Sequence, residues 1–271
     1  MSTNNKIVVI SPSEKLVVRI SRKSREAERD DPHDLYYSHR VSWLAGAVAP
    51  VVRPHEPYPV EIEDHILSRY PLMRSSPRLG DEDAGEIASL TSSLSNSLPD
   101  VQKGIDLRRL DIPRYVKERL QYILDHQAGS KEVEYLDGEL ERLNSKYPFQ
   151  QLVESDPGLV HGDFKADNIV ADGNDTLHAI DLDAAAVGPR CFDLAAWRFR
   201  CQMGDKAPLG KVVESQRGHD RWNEETFRAL VGWKALSSLS FTLRYEGGEI
   251  QKRNIQNIIT SGQALDGLRV V

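Results

Sequence analysis

A chain of 271 residues with 39% hydrophobic residues is long enough to bury a proper core, as one large domain or two small ones. Charged residues make up 28% and the formal net charge is -6, which argues against a protein that grips nucleic acid by bulk electrostatics. Its two cysteines, Cys191 and Cys201, match no metal-ligand spacing and make no disulfide framework, so a reducing, cytoplasmic compartment is expected. No stretch approaches the roughly 20 apolar residues that span a bilayer. The apolar run near the start, Ile7 to Ile10, is too short for a signal-peptide core, and no internal repeat is visible.

In chain order, Ile7 to Ile10 and Leu16 to Ile20 flank Ser11-Pro12-Ser13-Glu14 and predict an opening β-hairpin. Residues 21–34 are a dense charge run, a solvated loop or helix face. Asp34 is placed to cap a helix running through Tyr37, Val41 and Leu44 to Gly46. Pro50, Pro54, Pro57 and Pro59 favour an extended loop, after which Val60 to Ile62 and His65 to Arg69 read as strands. From Asp83 the period changes: Ile87, Leu90, Leu94 and Leu98 lie on one helical face. Asp81, Glu82, Asp83 and Glu86 sit at its start, where carboxylates favour the macrodipole. Further helices are expected over 113–127 and 130–145, the first opened by Pro113. Pro148 and Pro157 then bracket a connection into a short strand at Leu159-Val160.

Residues 160–200 hold two acidic clusters. Asp163, Asp167 and Asn168 follow His161-Gly162, while Asp181 and Asp183 end an apolar run. Between them, Ile169 to Ala171, a turn at Gly173-Asn174-Asp175 and Leu177 to Ile180 predict a hairpin. Antiparallel pairing brings Asn168 and Asp181 together, in position to hold a divalent cation. Gly188 permits a tight turn, and Asp193 opens a helix from Leu194 to Arg200. A charged loop runs over 204–219. Helices follow at Trp222 to Tyr245, with Phe227, Leu230, Val231, Leu236 and Leu239 on a buried face, and at Ile250 to Leu265, parted by Gly247-Gly248. Trp197, Trp222 and Trp233 read as core. Glu224, Glu225, Glu246 and Glu249 suit a cationic substrate or, equally, solvated helix ends.

The ordered set His161-Gly162-Asp163-x-x-x-x-Asn168, Ile180-Asp181-Leu182, Gly188 and Asp193-Leu194-Ala195 resembles the aminoglycoside phosphotransferase family, the small-molecule branch of the protein-kinase-like fold. The Asp163 to Asn168 spacing is that of a kinase catalytic loop, and Asp181 stands where the metal-binding Asp of Asp-Phe-Gly stands. The resemblance implies an α+β, two-lobed fold: a small antiparallel β lobe over 1–73 and a mostly helical lobe over 74–271. It implies Asp163 as base, Lys165 as an auxiliary cation on the transferred phosphoryl group, and Asn168 and Asp181 as Mg²⁺ ligands. His161 is then structural, Asp183 reaches the metal or buttresses its ligands, and Asp193 caps its helix and ties it to the catalytic loop. Arg19, within Val17-Val18-Arg19-Ile20, takes the place of the phosphate-binding lysine. Ser68 and Tyr70 fall in a hinge-like segment that offers backbone groups to the nucleotide base.

The implied reaction is transfer from ATP or GTP to a hydroxyl of an aminoglycoside or related antibiotic. A metabolite kinase of the choline, sugar or homoserine type and a kinase-like module without turnover are the alternatives. Partners are then a nucleotide and a small-molecule acceptor, with neither nucleic acid nor membrane; the pattern carries no information on oligomeric state. Two family features are missing. No glycine precedes Gly46, so there is no Gly-rich phosphate loop. Tyr37 stands where the family places a helix glutamate that pairs the strand cation, leaving Glu26, Glu28 or Asp34 as substitutes.

Overall fold

The β-branched residues of the first 22 positions pair as a hairpin, β1 (Lys6–Ser11) with β2 (Leu16–Arg22), Val9 opposite Val18. The structure is a computed structural model and describes residues 6–13, 15–22, 35–63, 65–73, 79–126, 131–202 and 223–245. β3 (Val60–Ile62) and β4 (His65–Pro71) complete an antiparallel sheet in the order β1-β2-β4-β3, with Arg19 opposite Ser68. Helix α1 (Leu35–Ala45) packs on β4. His39 fixes that contact: its Nε2–H donates to the Glu56 carbonyl at 2.7 Å, and its Nδ1 accepts from the Ser68 hydroxyl at 2.7 Å.

Beyond residue 80 the described chain is mostly helical. α2 (Ala84–Asn96) buries Ile87, Leu90 and Leu94 as its periodicity requires, and a short α3 (Leu98–Val101) follows. α4 (Ile112–His126) and α5 (Lys131–Lys146) bury Val116, Leu120 and Ile123, and Val133, Leu136, Leu140 and Leu143. The span between Pro148 and Pro157, expected as a connection, is a helix, α6 (Phe149–Ser155). Phe149 and Val153, four apart, drive it into the core. β5 (Pro157–Val160) delivers the catalytic stretch, and the predicted hairpin forms as β6 (Ile169–Ala171) and β7 (Leu177–Ala179).

β8 (Ala186–Pro189) pairs with β5, Gly158 opposite Gly188. Gly188 is therefore a strand residue and not the expected turn; a β-carbon on it would lie 2.8 Å from a Val160 methyl, which is why the position stays small. α7 (Phe192–Gln202) and α8 (Glu224–Tyr245) pack together behind the site. Trp197 and Trp233 are both buried core residues, Trp233 edge-on to Phe149 at 5.6 Å between ring centroids. The expected helix at 250–265, the loop at 204–219 and Trp222 lie outside the described residues. No helix among the described residues is long and apolar enough to cross a membrane.

Candidate active site

Hydrogen bonds among loops build the site before any catalytic group enters. Asp193 lies in the first turn of α7, and its carboxylate does not cap that helix. It accepts instead from the backbone N–H of His161 at 2.6 Å and of Gly162 at 3.0 Å, so of the two roles expected for it only the tie to the catalytic loop is present. His161 is fully buried, donates through Nε2 to the Ile180 carbonyl at 2.7 Å, and meets Phe164 edge-on. It is structural in this arrangement. Gly162 has φ of +80°, and a β-carbon there would run into the Ala184 carbonyl oxygen. These contacts seat the 161–164 segment against the 180–185 segment.

Asp163 emerges from this base. Its side chain is 37% exposed; Oδ2 accepts from the Lys165 ammonium at 2.6 Å and Oδ1 from Arg200 Nη2 at 3.0 Å. Burial pushes its carboxyl up, but Lys165, Lys234 and Arg200 more than offset this and hold it below the usual carboxylate range. It is ionised at neutral pH, ready to accept a hydrogen bond from a hydroxyl.

Asn168 is buried and donates its side-chain amide to the Asp163 carbonyl at 2.9 Å, with Oδ1 as the side chain's lone-pair oxygen. Ile180 N–H donates to the Asn168 carbonyl at 3.0 Å, so the hairpin sets Asn168 beside Asp181 as the pairing argument required. Asp181 adopts the left-handed region, φ 64° and ψ 53°, a conformation that aspartate tolerates better than most residues. That kink starts a 3-10 turn over Leu182–Ala184. The segment is therefore not extended, and Asp183 turns inward to be buried while Asp181 stays 44% exposed.

Arg19 crosses from β2 to these two carboxylates. Its Nη2 lies 3.0 Å from Asp181 and also pairs with Asp183. Burial works against the Arg19 charge, and Asp183 more than restores it. The counter-charge that the family places on a helix thus comes from the turn after Asp181; Glu26, Glu28 and Asp34 lie outside the described residues. Tyr37, at the vacated helix position, has a different job. Its hydroxyl donates to the Ala185 carbonyl at 2.7 Å and accepts from the Arg108 N–H at 3.2 Å, pinning α1 to the same turn.

Ser68 and Tyr70 sit in β4 on the face that meets α1. Ser68 is fully buried and its hydroxyl is engaged with His39, so its side chain is not placed to meet a nucleotide. Tyr70 pairs with Val17 across the sheet, and burial pushes its hydroxyl pKa up beside Arg19.

Two cations were not singled out in the sequence. Arg200 is seven residues after Asp193, hence on the same face of α7. Lys234 is seven after Phe227 and four after Leu230, on the stripe of α8 that the periodicity marks as buried. It is 9% exposed, and burial lowers its pKa to about 8, against the opposing pull of Asp163. Arg200 follows from counting along α7; a charge in the middle of an apolar stripe was the signal for Lys234.

Hard oxygens at Asn168 and Asp181 fit Mg²⁺, which takes one or two protein ligands and fills its shell with water and phosphate oxygens. Among the described residues no group of three or more His, Cys, Asp or Glu converges to hold a metal, which matches an ion shared with a nucleotide better than a closed protein cage.

Residues 2–230 match the model of the phosphotransferase enzyme family. No curated protein sequence matches the chain. Among solved structures, the chain is similar to the choline kinase LicA from Streptococcus pneumoniae, with a TM-score of 0.69 at 12% identity, covering 97% of this chain and 91% of that one. It is similar to APH(2")-IIia in its GDP and kanamycin complex, with a TM-score of 0.63 at 14% identity over 97% and 91% of the two chains. It is also similar to spectinomycin phosphotransferase, APH(9)-Ia, solved with ADP and spectinomycin, with a TM-score of 0.58 at 12% identity over 100% and 87%. Identities this low establish the fold, the protein-kinase-like architecture of a small antiparallel sheet and a mostly helical remainder. The match over residues 2–230 establishes the rest: the chain belongs to the phosphotransferase enzyme family and is a phosphotransferase.

Proposed function

We propose that this protein transfers the γ-phosphoryl group of ATP or GTP to a hydroxyl of a small molecule in the cytoplasm, with residues 1–73 as the nucleotide lobe and 74–271 as the lobe that receives the acceptor. The observation that carries the reading is the convergence of Asp163, Asn168 and Asp181 with Arg19, which comes from a strand more than 140 residues away in sequence.

Phosphoryl transfer asks for positioning and charge neutralisation more than covalent chemistry. Asp163 accepts a hydrogen bond from the acceptor hydroxyl and takes its proton as the oxygen bonds to the γ-phosphorus and the bond to the bridging oxygen of the diphosphate breaks. Lys165, on the same carboxylate, moves to the transferred phosphoryl oxygens. Asn168 and Asp181 would hold Mg²⁺, which would neutralise charge on the phosphate oxygens. Arg19 takes the phosphate-binding role; a guanidinium can pair with two oxygens at once, which a lysine cannot. With no glycine before Gly46 to build a phosphate loop, more of the nucleotide grip falls on Arg19 and the segment after Pro71.

An aminoglycoside or related antibiotic as acceptor draws support from the sequence pattern and from the neighbour solved with kanamycin. A metabolite acceptor of choline, sugar or homoserine type draws support from the choline kinase neighbour. The complete set of base and metal positions argues against a module without turnover. The test is transfer of labelled γ-phosphate from ATP and GTP, with Mg²⁺, onto a panel of antibiotics and metabolites. Asp163→Ala is expected to abolish transfer while nucleotide binding persists; retained turnover in that variant ends the assignment.

A further inference from the structure

An acceptor hydroxyl has to reach Asp163, so whatever surrounds that carboxylate also meets the acceptor. Both of its oxygens face cations, Lys165 at 2.6 Å and Arg200 at 3.0 Å, and Lys234 stands within electrostatic reach on α8. Among the described residues, the carboxylates that act on Lys234 are Asp163 and Asp193. Asp193 is already committed to the N–H groups of His161 and Gly162. Among the described residues, positive charge remains in excess here even with both carboxylates ionised.

Lys165 suits the transferred phosphoryl group, which leaves Arg200 and Lys234. Lys234 is buried on α8, and no described carboxylate forms an ion pair with it. Arg200 Nε is buried without an acceptor, which is costly for a charged donor. Arg119, next along, is different: its Nη1 is satisfied by the Ser237 carbonyl at 2.8 Å and by the Ser237 and Ser240 hydroxyls. The unmet Arg200 donor thus lies beside the base, on the side chain that already pairs with Asp163. A polycationic acceptor entering here meets like charge.

We propose that the acceptor carries an anionic oxygen group, carboxylate or phosphate, which Arg200 and Lys234 hold while its hydroxyl faces Asp163. This rests on the phosphotransfer reading above and names the charge class of its acceptor.

The test uses the full chain without Mg²⁺, which the probe would chelate. Citrate and glucose 6-phosphate are titrated by calorimetry and thermal shift, beside kanamycin and choline as cationic probes. At least one anion is expected to bind saturably, with affinity falling about tenfold in Lys234→Gln and in Arg200→Gln, the loss of one charge-assisted contact. Which of the two anions binds distinguishes carboxylate from phosphate. If Lys234→Gln does not fold, Arg200→Gln, at a partly exposed position, keeps the test decisive. The inference is overturned if neither anion binds, if both variants bind as the parent does, if Arg19→Gln alone removes the binding, or if a cationic probe binds more tightly. An anion bound by a chain that transfers no phosphate would defeat the phosphotransfer reading and leave this site standing. Phosphorylation of kanamycin in preference to hydroxy acids would do the reverse.

Discussion

The two ends of the catalytic stretch carry opposite imbalances of charge. At one end two carboxylates, Asp181 and Asp183, pair with Arg19. At the other, Asp163 alone meets Lys165 and Arg200, with Lys234 behind them. The first end has negative charge to spare and fits a divalent cation that arrives with a nucleotide. The second has positive charge to spare and fits anionic oxygen. Eighteen residues separate Asp163 from Asp181, yet the β6-β7 hairpin between them folds both ends into one site with opposite preferences.

The largest expected effect separates the two ends. Asp163→Asn keeps the shape of the base and removes its ability to take a proton; kcat is expected to fall roughly 10²- to 10⁴-fold with an unchanged Mg²⁺ midpoint. Asp181→Asn acts at the other end, and the Mg²⁺ concentration needed for half-maximal transfer is expected to rise tenfold or more as one anionic ligand is lost. A shift of the Mg²⁺ midpoint in both variants would mean that the ends are not separate.

That hairpin and its flanking acids were legible because the information is local. Alternation, a Gly-Asn-Asp turn and the spacing from Asp163 to Asn168 all lie within about one turn-and-strand unit. What joins the site to the rest of the molecule was not. The Arg19–Asp183 pair spans 164 positions, and nothing near either residue announces the other. Asp183 read as extended because a left-handed Asp181 leaves no mark in an Ile-Asp-Leu triplet. Gly188 read as permitting a tight turn because glycine is ordinary turn chemistry; only the partner strand, with Gly158 opposite, makes it part of β8. Ser68 was placed within the hinge-like segment for its backbone groups; its side chain, by strand alternation, meets His39.

A smaller effect tests how the acid end is mounted. His39 is fully buried and neutral, and burial holds its pKa at about 4 against an ordinary 6.5. Between those values the unfolded chain binds a proton that the folded chain refuses, so stability is complete above about pH 6.5 and declines as pH falls toward 4. The decline from this one group is up to roughly 3 kcal/mol. In His39→Asn, denaturant unfolding is expected to give lower stability at pH 7 but a flatter dependence from pH 6.5 to 5, where few carboxylates titrate. An unchanged slope would remove His39 from the account.

The smallest effect is the most specific. Tyr37 ties α1 to the turn after Asp181 by a neutral contact, its hydroxyl bridging the Ala185 carbonyl and the Arg108 N–H. Tyr37→Phe keeps the buried ring and deletes the bridge, which at the usual net value of a buried hydrogen bond costs about 1 kcal/mol. Ala185 is two residues past Asp183, so the loss loosens the turn that holds Arg19 and Asp181 in register. The Mg²⁺ midpoint is expected to rise severalfold while anion binding at Arg200 and Lys234 stays put, because that cluster hangs on α7 and α8 and not on α1. If both move together, α1 governs the whole site. If only the first moves, the protein has traded the helix glutamate for a hydroxyl that steadies the acid end alone, and Arg19 is free to be neutralised by the same turn that presents the metal ligand.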